Sequence, residues 1–152
     1  MVYRYPPERI LVCTDFSEQS RHALAYAAET ARACKSKLLV LHVGPPIPDI
    51  TFPLPEATAI QAAAWTETLR EREEQICKRL EQEVAAVAES PDAELIYVEG
   101  EPSTAIVHTA ESRACDLLVL GSHGRTGLAR VLMGSVTERS ARHVHCPVLV
   151  VK

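Results

Sequence analysis

A glycine-rich, basic stretch follows directly after a short apolar run. Residues 117–120 form the run, and residues 121–130 hold three glycines and two arginines. Ser135 and Glu138 come shortly afterwards, three residues apart, which is the spacing of a helix capping box. A buried strand, a basic loop and a helix N-terminus together favour the binding of phosphate. Glycines let the backbone approach a ligand closely, and the first N–H groups of a helix have no internal partner.

The spacing of the glycines distinguishes this stretch from two common phosphate-binding motifs. Neither Gly-x-x-x-x-Gly-Lys-Ser/Thr nor Gly-x-Gly-x-x-Gly occurs in the chain. Gly121, Gly124, Gly134 and Ser135 instead form Gly-x2-Gly-x9-Gly-Ser. Two interpretations fit this pattern. The glycines hold phosphate, or they serve only a steric turn while Ser135 and Glu138 cap the helix.

This spacing resembles the nucleotide-binding signature of the universal stress protein family, in its ATP-binding branch. Residues 12–17, 41–43 and 146–151 are similar to further stretches of that family, so the resemblance covers nearly the whole chain. It implies that the chain binds an adenine nucleotide, ATP, with Mg²⁺. The chain departs from the family at Cys13, where ATP-binding members often have proline. We expect this difference to change the packing at a strand end rather than the class of ligand.

The resemblance implies nucleotide contacts at strand ends and in the glycine-rich stretch. Residues 134–137 would present backbone N–H groups to a polyphosphate, and Ser135 and Thr137 can add hydroxyls. Arg125 either supplies positive charge to the phosphates or points into solvent. His123 is either a phosphate donor or a neutral surface histidine, and Arg130 is expected to face solvent. The predicted nucleotide-binding residues are Thr14, Asp15, Val43, Leu120, Gly121, Ser122, His123, Gly124, Arg125, Gly134, Ser135, Val136 and Thr137.

Asp15 follows the first predicted strand and has three alternative roles. Its carboxylate can accept a hydrogen bond from the ribose or base, bind Mg²⁺ through water, or satisfy the first turn of a helix that begins at Ser17. His143 and His145 are two residues apart but lack further ligands with the spacing of a zinc site. We therefore predict no direct metal ligand and no catalytic residue.

Apolar runs alternate along the chain with helical patterns, in the order βαβαβαβαβ. We predict strands at 10–13, 37–43, 93–98, 116–120 and 147–151, and helices at 18–35, 57–89, 103–114 and 135–144. This alternation favours an α/β fold with a parallel, doubly wound sheet and helices on both faces. The resemblance implies a Rossmann-like, adenine-nucleotide alpha-hydrolase-like fold with strand order 3-2-1-4-5. Ligands bind where such an order reverses, which places Asp15 and Gly121 at one crevice.

Two further segments separate the second and third strands. Residues 44–56 contain five prolines and form either a lid over the site or a plain solvent-facing connection. The charged residues of the helix at 57–89, Glu83 among them, are predicted to form a solvated face rather than an acidic partner-binding face. The apolar stripe of this helix consists of Trp65, Leu69, Ile76, Leu80, Val84 and Val87.

Length and composition argue against several classes of protein. The 152 residues suit a single domain over 1–152, and the net charge of −4 gives no basic field for nucleic acid. No apolar run reaches the roughly 18 residues of a membrane span, so no membrane contact is expected. The first residues lack the apolar core of a signal peptide. The five cysteines include no Cys-x-x-Cys pair, and we expect free thiols in a reducing cytoplasm.

The last predicted strand, residues 147–151, is wholly apolar from Pro147 to Val151. Such a strand is an aggregation hazard when it lies bare at a sheet edge. The resemblance implies that it pairs with its counterpart in a second subunit. We therefore predict a homodimer, with two-fold symmetry as the default.

The predicted function is that of a nucleotide-responsive regulatory or protective dimer in a stress response, with a downstream protein partner. A slow ATPase or autophosphorylating phosphotransferase is the alternative, and an interaction module with a vestigial nucleotide site is a third hypothesis. An enzyme is not favoured, because no second carboxylate accompanies Asp15 in a recognisable motif for phosphoryl transfer.

Overall fold

The computed structural model describes residues 5–46, 58–87, 92–123 and 133–152. Strands and helices alternate along these ranges as predicted, and each boundary lies within two residues of its expected place. The elements are β1 (Arg9–Cys13), α1 (Glu18–Cys34), β2 (Lys37–Gly44), α2 (Thr58–Val87), β3 (Ala93–Glu99), α3 (Pro102–Ser112), β4 (Leu117–Gly121), α4 (Ser135–His143) and β5 (Val148–Val151).

The strands form one parallel sheet in the order β3-β2-β1-β4-β5. This is the predicted order, and the predicted fold class is confirmed. β1 lies in the middle of the sheet, with helices over both of its faces. Ile10, Leu11 and Val12 accordingly have no exposed surface, although they follow one another in sequence. The order reverses between β1 and β4, so the carboxyl ends of these strands flank a crevice.

Different helices cover the two faces of the sheet. On one face, α1 and α2 pack against Ile10 and Val12, and buried alanines of α1 allow a close approach. On the other face, Ile106 and Ala110 of α3 join a second cluster around Leu11. The two layers remain separate because successive side chains of a strand point to opposite faces.

Four residues in the C-terminal half of the apolar stripe of α2 face the core, and the charged residue Glu83 is buried beside them. Leu80 is fully buried and Val84 nearly so, while Ile76 and Val87 pack against the same cluster. The prediction that Glu83 belongs to the solvated face is wrong, because only 7% of this residue is exposed. Its carboxylate reaches α1 and the end of β1, where it finds the hydrogen-bond partners that a buried charge requires.

Capping side chains define the starts of α1 and α3. Ser17 is the N-cap of α1, as predicted, and its hydroxyl oxygen accepts from the Ser20 N–H at 3.3 Å. α3 begins at Pro102, with Glu101 as its N-cap. The Glu101 carboxylate accepts from the Thr104 N–H at 2.8 Å and from nearby hydroxyls. These hydrogen bonds lower the pKa of Glu101 to about 2.

β3 and β5 form the two edges of the sheet, and the residues of β5 are half-buried. No helix among the described residues has the length and apolar character needed to cross a bilayer. The five cysteines are unbridged. Most of the predicted proline-rich segment lies outside the described residues, as does the side chain of Trp65.

Candidate functional site

A cavity of about 340 Å³ opens at the carboxyl ends of β1, β2 and β4, where the strand order reverses. This volume is typical of small-molecule sites, which enclose about 300–1,000 Å³. The start of α3 and the start of α4 contribute the remaining walls. Ten of the thirteen predicted residues line the cavity, namely Thr14, Asp15, Val43, Leu120, Gly121, His123, Gly134, Ser135, Val136 and Thr137.

Three predicted residues do not appear among those that line the cavity. Ser122 is buried beside it, and its N–H donates to the Val151 carbonyl oxygen at 2.7 Å. This hydrogen bond ties the residue after β4 to the end of β5. Gly124 and Arg125 lie outside the described residues, and so does Arg130.

Several cavity residues were not predicted from the sequence. Leu41 and Ile106 belong to the core cluster that extends into the cavity wall. Leu41 could have been predicted from the sequence, because it lies two residues before Val43 and therefore points to the same face of β2. The α3 residues could not have been predicted, since only tertiary packing brings α3 to the site. The complete set of additional lining residues is Cys13, Ser20, Leu41, Pro102 and Ile106.

The predicted capping box at the start of α4 is wrong. The N-cap is Gly134, with φ −68° and ψ 150°, and Ser135 is already the first helical residue. Gly134 makes no side-chain hydrogen bond, so it leaves the first N–H groups of α4 uncapped. Glu138 pairs instead with Arg142 at 2.7 Å. The start of α4 therefore offers the cavity N–H groups and the positive end of the helix dipole, which favour an anion.

Two hydrogen bonds fix the start of α4 against the end of β4. The Gly134 N–H donates to the Ser122 carbonyl oxygen at 2.8 Å. The Thr137 hydroxyl donates to the Gly121 carbonyl oxygen, also at 2.8 Å. These hydrogen bonds consequently hold the uncapped N–H groups at a defined distance from the strand ends. The groups belong to a helix rather than to a loop.

The turn from β1 into α1 places Asp15 in the cavity wall. Asp15 Oδ1 accepts from the Ser17 N–H at 3.1 Å, so the predicted role in the first turn of α1 is observed. Phe16 has a φ of 67°, and this left-handed conformation costs a residue with a side chain about 1–2 kcal/mol. The Phe16 N–H donates to the Thr14 hydroxyl oxygen at 3.0 Å. The turn is strained and therefore depends on the groups that hold it.

Thr14 connects this turn to three other elements. Its hydroxyl donates to Glu83 Oε2 at 2.8 Å and lies 3.1 Å from the Ser20 hydroxyl. The Glu83 carboxylate also accepts from Arg21 Nε at 2.9 Å. On the other side, His42 Nδ1 donates to the Thr14 carbonyl oxygen at 2.8 Å. Side chains from α1, α2 and β2 thus converge behind the cavity wall.

The histidines near the end of α4 have protein partners. His145 Nε2 lies 3.1 Å from Glu111 Oε1, and His143 Nδ1 lies 2.8 Å from the Arg139 carbonyl oxygen. Within the described part of the chain, no three histidine, cysteine, aspartate or glutamate side chains are grouped to hold a metal ion.

Nearly the whole chain matches a single protein family. Residues 7–152 match the sequence model of the Universal stress protein family. The chain belongs to the universal stress protein family. The identification suggested by the glycine spacing is therefore confirmed, and the cavity described above is that of a universal stress protein.

A curated relative and two solved structures support the assignment. The chain is 32% identical to universal stress protein MJ0531 of Methanocaldococcus jannaschii, over 95% of this chain and 82% of that protein. The solved structure of MJ0577, from the same organism, is 30% identical, with a TM-score of 0.72 and 95% of each chain covered. A universal stress protein crystallised in complex with cAMP is 28% identical, with a TM-score of 0.65, over 96% of this chain and 97% of that chain.

In this universal stress protein, Gly121 lies against the backbone of α1. A Cβ atom at this position would lie 3.1 Å from the carbonyl carbon and oxygen of Gln19 and 3.2 Å from the nitrogen of Ser20. These distances are shorter than ordinary van der Waals contacts, and a helix backbone cannot move aside as a side chain can. The steric interpretation of this glycine is supported, and it applies together with the place of Gly121 in the cavity wall.

We expect Gly121→Ala to lower the free energy of unfolding by about 1–3 kcal/mol, because the added methyl group pushes β4 and α1 apart. Urea unfolding followed by circular dichroism measures the change. Gly134→Ala is the control, since its φ of −68° and ψ of 150° are open to any residue and only the smaller loss from alanine at a helix N-cap is expected. Equal losses in the two variants, or no loss in Gly121→Ala, would contradict the steric role.

His42 lies behind the cavity between two aromatic rings. The centroid of its ring is 4.4 Å from that of Phe16 and 6.1 Å from that of Tyr97. Burial lowers the pKa of His42 below its usual value, and this effect exceeds the opposing hydrogen bond to Thr14. The unfolded chain therefore takes up a proton more readily than the folded chain. The stability contributed by neutral His42 is complete above about pH 6.5 and is lost as the pH falls toward the lowered pKa.

We accordingly expect the free energy of unfolding to fall as the pH is lowered below about 6.5, by at most about 1.4 kcal/mol for each unit of difference in pKa. His42→Gln should flatten this dependence. His22→Gln, which changes an exposed histidine of α1, should retain it. The measurement is urea unfolding across the pH range. A wild-type slope in His42→Gln would assign the pH dependence to other groups.

Proposed function

We propose that this universal stress protein binds ATP, together with Mg²⁺, in the cavity at the ends of β1, β2 and β4. One observation carries the proposal: the cavity joins an apolar wall to a helix N-terminus that no side chain of the described residues caps. Apolar side chains suit a base, and helix N–H groups suit phosphates. The relative crystallised with cAMP, at 28% identity, supports an adenine nucleotide as the class of ligand.

The base end of the proposed site lies between β2 and α3. Leu41, Val43 and Ile106 would pack against the adenine ring. Asp15 would accept a hydrogen bond from the ribose or base, or hold Mg²⁺ through water. Hard cations such as Mg²⁺ prefer oxygen ligands and keep several waters when bound beside phosphates, which fits a site with a single carboxylate.

The phosphate end of the proposed site lies at the start of α4. Residues 134–137 would donate backbone N–H groups to the phosphates, and His123 lines the same cavity. Gly124 and Arg125 are proposed to complete this end, with the arginine supplying charge. The distance between strand ends and α4 is fixed by hydrogen bonds within the protein, so the site needs little rearrangement to accept a polyphosphate.

We infer that the bound nucleotide regulates the protein rather than being consumed. Asp15 is the only carboxylate among the described residues that line the cavity. Phosphoryl transfer needs, in addition to phosphate contacts, a metal scaffold and a group that orients the nucleophile. Slow ATP hydrolysis or autophosphorylation is the alternative outcome, and the experiment below distinguishes it.

The regulated form is proposed to be a cytoplasmic homodimer that pairs through residues 147–151. β5 is an edge strand, and its apolar side chains are only half-buried in one chain. Unbridged cysteines fit a reducing compartment. Light scattering coupled to gel filtration should give twice the chain mass of 16.7 kDa. A monomer at micromolar concentration would argue against the dimer.

Nucleotide content and thermal stability test the proposed function. The purified protein is denatured, and the released nucleotide is identified by chromatography. Added ATP and Mg²⁺ at about one hundred times the dissociation constant should stabilise the protein by about 2.7 kcal/mol. Intact ATP with a thermal shift supports a nucleotide sensor, whereas recovered ADP supports a slow ATPase. No nucleotide together with no shift would exclude both.

A further inference from the structure

α2 carries a buried carboxylate that the proposed nucleotide contacts do not use. Glu83 is 7% exposed, and its two oxygens accept from Arg21 Nε and from the Thr14 hydroxyl. The Arg21 side chain is about half exposed, so water weakens that ion pair. Thr14 is 4% exposed and lies in the cavity wall. The more enclosed of the two contacts therefore connects α2 to the nucleotide cavity.

A second α2 residue holds the same turn from a different direction. The Arg79 guanidinium carbon lies 4.0 Å from the centroid of the Phe16 ring, and the ring of His42 lies on Phe16 as well. Arg79 and Glu83 are four residues apart, so they occupy neighbouring positions on one face of the helix. We call this pair the α2 clamp. It contacts both Thr14 and Phe16, the residues on either side of Asp15.

The strained conformation of the turn at residues 14–16 makes the turn dependent on its contacts with the α2 clamp. Phe16 has a φ of 67°, which a phenylalanine adopts only where neighbouring groups hold it. The Thr14 hydroxyl accepts a hydrogen bond from the Phe16 N–H and donates one to Glu83. Loss of the carboxylate would leave the Thr14 hydroxyl, as a donor, with only the neutral contact to the Ser20 hydroxyl at 3.1 Å, and would loosen the strained residue. Asp15 lies between the two and would move with them.

We propose that Glu83 is a positioning residue for nucleotide binding, and that the α2 clamp couples the docking of α2 to occupation of the cavity. The proposal rests on the proposed nucleotide site. Glu83 acts through Thr14 and keeps Asp15 oriented for the nucleoside. Coupling between two sites is reciprocal, so bound nucleotide in turn stabilises the docked position of α2. The helix that follows the proline-rich segment would thereby report nucleotide occupancy to a partner.

Calorimetric titration with ATP and Mg²⁺ tests the role of Glu83. Glu83→Ala removes the charged acceptor of the Thr14 hydroxyl, and we expect the dissociation constant to rise about tenfold, as for loss of a hydrogen bond to a charged group. Glu83→Gln keeps an oxygen acceptor and should recover much of the affinity. Glu81→Gln removes the same charge from an exposed position of α2 and should bind as the wild type does. All titrations are made well below the melting temperature of each variant.

Hydrogen exchange of the wild-type protein tests the reciprocal effect, without any substitution. ATP and Mg²⁺ should slow exchange of amides in residues 79–87 as well as in residues 14–16. Wild-type binding of ATP with unchanged exchange in 79–87, or wild-type affinity in Glu83→Ala, would overturn the coupling while leaving the nucleotide site intact. A wild-type protein that binds no ATP would overturn the proposed function and this inference together.

Discussion

Gly134→Asp is expected to abolish the stabilisation of the protein by ATP while leaving the unliganded protein at least as stable as the wild type. Gly134 is the N-cap of α4, with φ −68° and ψ 150°, and aspartate is a preferred N-cap residue in this conformation. Its carboxylate would lie where the phosphates are proposed to bind. Two unit charges about 4 Å apart repel by about 4 kcal/mol at an effective dielectric constant of about 20, which corresponds to roughly a thousandfold in dissociation constant.

Gly134→Asn distinguishes the effect of the added charge on ATP binding from the effect of the added side chain. Asparagine caps a helix about as well as aspartate and has nearly the same size, but it carries no charge. We expect the asparagine variant to bind ATP more weakly than the wild type, because the amide competes for the same N–H groups, and far more tightly than the aspartate variant. Thermal shift with ATP and Mg²⁺ measures both. Retention of the full shift in Gly134→Asp would show that the phosphates bind elsewhere.

Much of the fold could be predicted from the order of apolar runs. Ile10, Leu11 and Val12 form an uninterrupted apolar run because β1 is covered on both faces, and the same pattern indicates a parallel sheet. Strands that alternate with helices allow few topologies, since the crossovers are right-handed. These patterns leave the order of the strands within the sheet open. The family resemblance implies the order 3-2-1-4-5, and the structure confirms it.

The residues of the candidate site that lie at strand ends could be predicted from the sequence. Those that reach the site only through tertiary packing could not. Asp15 and Gly121 meet at one crevice because each lies at the carboxyl end of a strand that borders the reversal point. The role of Glu83 could not be inferred, since the sequence places it among other charged residues of α2 and its partner Thr14 lies 69 positions away. Only the packing of α2 on the sheet brings the two together.

The capping-box prediction was wrong for a local reason, and that reason bears on the proposed function. A serine followed three residues later by a glutamate fits a capping box, and the sequence alone does not reveal that Gly134 rather than Ser135 is the N-cap. With glycine at the N-cap, the N-cap residue has no side chain to compete for the first N–H groups. A self-capped helix would be more stable alone but would offer less to a phosphate. The structural cost of glycine at this position fits a site in which a ligand supplies the cap.

Leu80→Ala is expected to be the most destabilising of the proposed substitutions, lowering the free energy of unfolding by about 2–5 kcal/mol. Leu80 is fully buried and lies in the cluster that joins α2 to α1 and the sheet, so its removal leaves a cavity that surrounding helices fill only in part. At about 2–4 °C per kcal/mol, a loss of about 3 kcal/mol lowers the melting temperature by about 6–12 °C. Leu69→Ala is the matched control, because Leu69 belongs to the same stripe of α2 but is only half-buried. Similar losses in the two variants would mean that α2 is held along its whole length, rather than anchored at the turn that carries Leu80 and Glu83.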